Sequence, residues 1–110
     1  MPIDTHQLQS LISILGANTL ARVRQSYLED SEPKLAQLKH AIDGQQFSEV
    51  EQISHSLKSA SANMALGQLA AIFAEMEQQS AQGKPERLSD LYLQAEECYW
   101  LSVQALKDFF

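Results

Sequence analysis

Val50-Glu51-Gln52-Ile53-Ser54-His55-Ser56-Leu57-Lys58-Ser59-Ala60-Ser61-Ala62-Asn63-Met64 decides how this chain folds. Its apolar residues Val50, Ile53, Leu57, Ala60 and Met64 recur at intervals of three, four, three and four. That interval matches the helical repeat and marks one buried face. At about 100° per residue, His55 lies well away from that face. Its neighbours at three and four positions are Glu51, Gln52, Lys58 and Ser59, with Ala62 two turns on. None is a large apolar residue, so the surface around His55 is polar and open.

Helix breakers divide the rest of the chain into similar blocks with short joints. Asp4 can cap a first helix carrying Leu8, Leu11, Ile12 and Leu15, which Gly16 ends. Asn18 can cap a second block with Leu20, Val23, Tyr27 and Leu28. Ser31-Glu32-Pro33 predicts a new start, with a capping serine and a proline in the first turn. Leu35, Leu38 and Ile42 line this third block, and Asp43-Gly44 closes it. The helix of His55 is expected to begin near Phe47-Ser48, with Ser48 and Glu51 as a capping box, and to end near Asn63. A fifth block carries Leu66, Leu69, Phe73 and Met76 and stops at Gly83. Pro85 opens a last one with Leu88, Leu91, Ala95, Cys98, Ser102, Leu106 and Phe109. No segment alternates with period two, so no strand is expected. Short joints favour antiparallel neighbours. The expected fold is all-α: an antiparallel up-down four-helix bundle over about 32–110, with short N-terminal helices over about 4–30 packed on one end.

With 110 residues, the chain fits one domain and can bury a real core. Eight Lys and Arg are scattered among fourteen Asp and Glu, for a net charge of -6. Nucleic-acid binding through phosphate contacts is disfavoured, and docking on another protein is the better expectation. Cys98 is the single cysteine, which rules out an internal disulfide and fits a reducing compartment. In an apolar helical stretch it reads as a buried, inert thiol. The N-terminus shows no signal peptide, and no apolar run approaches the ~18 residues of a membrane span. A soluble cytoplasmic protein that engages no membrane is expected.

A neutral imidazole is a good nucleophile near neutral pH, since its ordinary pKa is about 6.5. It can take a phosphoryl group on nitrogen. Phosphoryl transfer places charge on the equatorial oxygens, so positioning and positive charge dominate its catalysis. Lys58 can set an ammonium beside those oxygens, and Ser59 adds little bulk. A surface His beside a Lys is also a common pattern without function, so spacing alone does not decide. His6 lies near a helix start, and His40 sits in a last turn where a cation suits the helix dipole. Structural readings serve both. No His or Cys pair has metal-ligand spacing.

His55-Ser56-Leu57-Lys58-Ser59-Ala60-Ser61-Ala62-Asn63 resembles the signature of histidine phosphotransfer (HPt) domains, roughly H-x-L-K-G-x-A/S-x-N/S. Leu69 fits the apolar position that follows on the next helix. The resemblance implies a four-helix bundle with N-terminal helices as a lid. It implies that His55 accepts a phosphoryl group from the aspartate of one receiver domain and passes it to another. Lys58 becomes the nearby cation. The glycines usual at four and ten positions after the histidine are Ser59 and Ala65 here. The implied partners are response-regulator receiver domains and a hybrid sensor kinase. The domain holds no nucleotide or metal of its own, and Mg2+ belongs to the receiver. Helical geometry offers Glu51, Gln52, Ser59, Ala62 and Gln68 as partner contacts. One nucleophile per chain needs no dimer, so a monomer is expected.

A kinase is disfavoured, because the chain is too short for an added ATP-binding domain and its four glycines are isolated at expected helix ends. A helical adaptor that binds a signalling partner through the same face, without chemistry, is the alternative. A helical-bundle enzyme or metal protein is weaker still, since no paired carboxylates or His/Cys set converge.

Overall fold

The computed structural model describes residues 4–109, apart from the side chains of residues 17, 108 and 109. Helix α1 spans Thr5–Leu15, α2 Ala17–Asp43, α3 Phe47–Asn63, α4 Gly67–Ala81 and α5 Leu88–Phe109. A 3-10 turn at Pro85–Arg87 leads into α5. No strand occurs among the described residues, and no described helix is long and apolar enough to cross a membrane. α2 packs on α3, α3 on α4, α4 on α5, and α5 returns to α2. α2 and α3 run antiparallel, since Tyr27 meets Ser61 while Lys34 meets Ser56. α1 packs on α2. Its start is tied to the α3–α4 joint, where the Asp4 N–H donates to the Ala65 carbonyl at 2.9 Å.

The expected break at Ser31-Glu32-Pro33 is absent, and α2 runs unbroken for 27 residues with Pro33 inside it. Proline removes one ladder bond, the one that would reach the Glu29 carbonyl. Glu29 and Pro33 are both exposed, so solvent can take that carbonyl. Ser31 is buried instead of capping, and its hydroxyl donates to the Tyr27 carbonyl at 2.6 Å. Leu20, Tyr27, Leu35, Leu38 and Ala41 form one buried face along the whole helix. Continuous burial outweighs one lost bond on the wet side. The N-terminal segment and the helices that follow therefore share α2, with no break at residues 30–32.

Three joints close with the same backbone device. Gln46 N–H donates to the Ala41 carbonyl, Leu66 N–H to Ser61, and Lys84 N–H to Gln79, at 2.9–3.0 Å. The residue before each donor is left-handed: Gln45 at φ 56°, Ala65 at φ 62° and Gly83 at φ 67°. This is the six-to-one closure that glycine usually serves. A side chain in that region costs roughly 1–2 kcal/mol. Ala65 is only 1% exposed, so its small size serves the turn and not access to His55. The closure of α2 also displaces the expected capping box. Gln46 stands at the N-cap of α3 without a side-chain bond, and Ser48 falls inside the first turn. Likewise Gly16, not Asn18, precedes α2. Asp4 does cap α1, accepting from the Gln7 N–H at 3.0 Å.

Most expected core positions are buried, including Leu8, Leu57, Leu69, Phe73, Met76, Leu88, Leu91 and Leu106. Val23 and Leu15 are not, at 39% and 44% exposure. α2 is about 40 Å long at 1.5 Å per residue, and α3 only about 25 Å. The first turns of α2 thus run past the end of α3, where less protein covers them. On α5, Tyr99 is fully buried and Cys98 only half-buried. Periodicity allows either position after Ala95, and a buried phenol needs a polar partner, which Ser31 of α2 supplies at 2.8 Å. The expected core position Phe109 lies outside the described side chains.

Two buried serines of α3 make a paired test. Ser61 bonds the Tyr27 hydroxyl at 2.9 Å, whereas Ser54 Oγ has no hydrogen-bond partner among the described residues. Burial also pushes the Tyr27 phenol above its ordinary pKa, against the opposing hydrogen bond from Ser61. Ser61→Ala takes that hydrogen bond away from a buried phenol and is expected to cost about 1–3 kcal/mol. Ser54→Ala removes an unpaired buried hydroxyl and is expected to gain about 1 kcal/mol. Thermal melts of the two variants check the opposite signs.

Candidate functional site

His55 and Lys58 lie on successive turns of α3, and both lean toward α4. There one carboxylate, Glu77, meets both. The His55 Nδ1–H donates to Glu77 Oε2 at 2.8 Å, and Lys58 Nζ donates to Glu77 Oε1 at 2.6 Å. The His55 side chain remains 61% exposed. An ionised carboxylate only accepts, so it assigns the ring proton to Nδ1 and leaves Nε2, across the ring, as the basic nitrogen. The Lys58 hydrogen bond, helped by His55, holds the Glu77 carboxyl below its ordinary pKa against an opposing burial effect. The stabilisation from this bridge is present above the ordinary value of 4.5 and is lost as pH falls through the lowered one.

Glu77 was not among the expected site residues. It lies on a different helix, so no periodicity connects it to His55. The short joint is the signal that could have found it. Reflecting His55 through the gap between Asn63 and Gly67 lands at residue 75, and the acids nearby are Glu75 and Glu77. Glu75 faces the other way and pairs with Arg87.

The other expected contacts divide. Glu51 and Gln52 join His55, Glu77 and Ser48 around an open hollow of about 380 Å³. Ser59 and Ala62 continue the exposed surface of α3 toward its C-terminus. Gln68 is exposed in the first turn of α4. It lies nine residues before Glu77, about 14 Å along the axis, so the fold does not bring it to His55. On the opposite flank, Lys34 of α2 reaches over to Ser56, the residue after His55.

A family model described as the Hpt domain matches residues 22–107. Comparison with curated protein sequences finds no match. A similar fold is seen in the crystal structure of histidine-containing phosphotransfer protein B (HptB) from Pseudomonas aeruginosa PAO1. The TM-score is 0.90 and the identity 24%, over 97% of this chain and 92% of that one. The family match begins in α2 and ends in α5, enclosing His55, Lys58 and Glu77. This chain belongs to the Hpt domain family.

Proposed function

We propose that this protein is a phosphorelay carrier in which His55 takes a phosphoryl group from a receiver-domain aspartate and hands it to another. The observation that supports the reading is the Glu77 bridge, which puts the ring proton on Nδ1, leaves Nε2 unprotonated and holds the Lys58 ammonium on the same carboxylate. Nε2 attacks phosphorus, the P–O bond to the aspartate breaks, and the carboxylate leaves with the electron pair. No proton has to move, because Nε2 carries none. The phosphorylated ring keeps its proton on Nδ1 and becomes cationic, and the Glu77 carboxylate stabilises that charge. Lys58 faces the phosphoryl oxygens as they approach, while Glu77 keeps its ammonium in place. The return step uses the same contacts.

The donor and acceptor are response-regulator receivers, including one from a hybrid sensor kinase. Mg2+ is the receiver's, and the carrier needs no nucleotide or cofactor. Glu51, Gln52, Ser59 and Ala62 form the contact surface beside His55, with Gln68 at its far end. The carrier works as a cytoplasmic monomer.

The test is direct. Mix the protein with a phosphorylated receiver and Mg2+, and look for acid-labile, base-stable phosphate on the chain. No label with any receiver from the same organism would favour an adaptor without chemistry. Lys58→Ala is expected to slow transfer by about 10- to 100-fold without ending it. It removes a cation and also leaves the Glu77 carboxylate uncovered near an anionic group. Rapid-quench transfer kinetics measure the loss.

A further inference from the structure

The outward strip of α3 is flanked by cations on both sides. On the α4 side, Lys58 is held by Glu77. On the α2 side, Lys34 Nζ sits 2.9 Å from Asp30 Oδ2 and 2.9 Å from Ser56 Oγ. Successive helical residues are about 100° apart, so His55 and Ser56 mark the two edges of that strip. Gln52 and Ser59, both exposed and uncharged, lie between them. A partner that covers the strip to reach His55 meets Lys34 at its other edge.

We infer that Lys34 is a second recognition cation, which leaves Asp30 and pairs with an acidic group of the docked receiver, setting affinity and partner choice and not the rate of transfer. The inference rests on the phosphocarrier reading above. Charge supplies the need: a chain of net charge -6 must present local positive charge to an anionic aspartyl-phosphate site. Geometry supplies the means. Asp30 and Lys34 form an i,i+4 pair on one helix, with side chains 64% and 30% exposed. Exposed pairs of this kind are weak, so exchanging one carboxylate for another costs little. The Ser56 hydroxyl holds the ammonium against α3 without neutralising it, and so aims it. Lys34 does not touch His55, so it is a positioning and specificity residue.

The test measures the rate of transfer from a phosphorylated receiver against receiver concentration. For Lys34→Met, half-saturation is expected to rise about fivefold or more, with the limiting rate within about twofold. Its salt dependence should also flatten. Asp30→Asn unmasks the ammonium and is expected to lower half-saturation, a gain that a folding defect cannot produce. Phosphoramidate, a donor with no protein surface, should label wild type and both variants equally. If half-saturation is unchanged in both variants while wild type is labelled normally, the assignment of Lys34 fails alone. The same holds if the limiting rate falls at constant half-saturation. Absence of phosphohistidine on wild type from both donors overturns the carrier reading, and this inference with it.

Discussion

His55→Gln is expected to bring phosphoryl acceptance down to background while leaving the fold intact. The loss is total because an amide side chain has no basic nitrogen, and Lys58 and Glu77 have nothing to act on without a nucleophile. The fold survives because the His55 side chain is mostly exposed. Surface substitutions away from special features usually stay within about 0.5 kcal/mol. The glutamine amide can also donate to Glu77 and keep part of the bridge. Radiolabel transfer from a phosphorylated receiver, with a thermal melt alongside, reads both halves of the prediction. Label persisting in this variant would falsify the assignment of His55 and turn attention to His6 or His40, which are also exposed.

The second large effect is on stability. Phe73 has no exposed surface, and it lies on α4 between the helices that α4 joins, α3 and α5. Phe73→Ala is expected to cost about 3–5 kcal/mol, since truncating a buried phenyl loses its transfer energy and leaves a cavity. A domain of this size has only about 5–15 kcal/mol in total. The melting temperature is expected to fall by roughly 10–20 °C. Phe73→Leu fills most of the space and should cost about 1–2 kcal/mol. Urea or thermal denaturation measures the pair. A loss below about 1 kcal/mol for the alanine variant would contradict the packing of α4. Function should follow stability here, because α4 carries Glu77 one turn beyond Phe73. A loosened α4 would release both the imidazole and the Lys58 ammonium.

The α3 stripe and the apolar positions Leu69, Phe73 and Met76 of α4 were legible because they depend on residues three and four positions apart. The capping box at Ser48 failed for a related reason. Its sequence was suitable, but the closing turn of α2 at Gln45 and Gln46 had already fixed where α3 begins. Ser31-Glu32-Pro33 failed differently. Local propensity favoured a new helix there, and burial of one long face on the neighbouring helices overrode it.

The sequence by itself determined that the chain is helical, that His55 and Lys58 share a polar face, and that a small residue stands at position 65. The first two depend on the helical repeat, and the third is read directly from the chain. Only the tertiary structure decided what meets that face from outside α3. Glu77 arrives from α4, 22 residues after His55, and Lys34 from α2, 22 residues before Ser56. Their charges were visible in the sequence, but which carboxylate would bridge which cation depends on the register of packed helices. Joint burial of Leu57, Leu69, Phe73 and Tyr99 in one core, drawn from three helices, constrains that register, which no repeat within a single helix encodes.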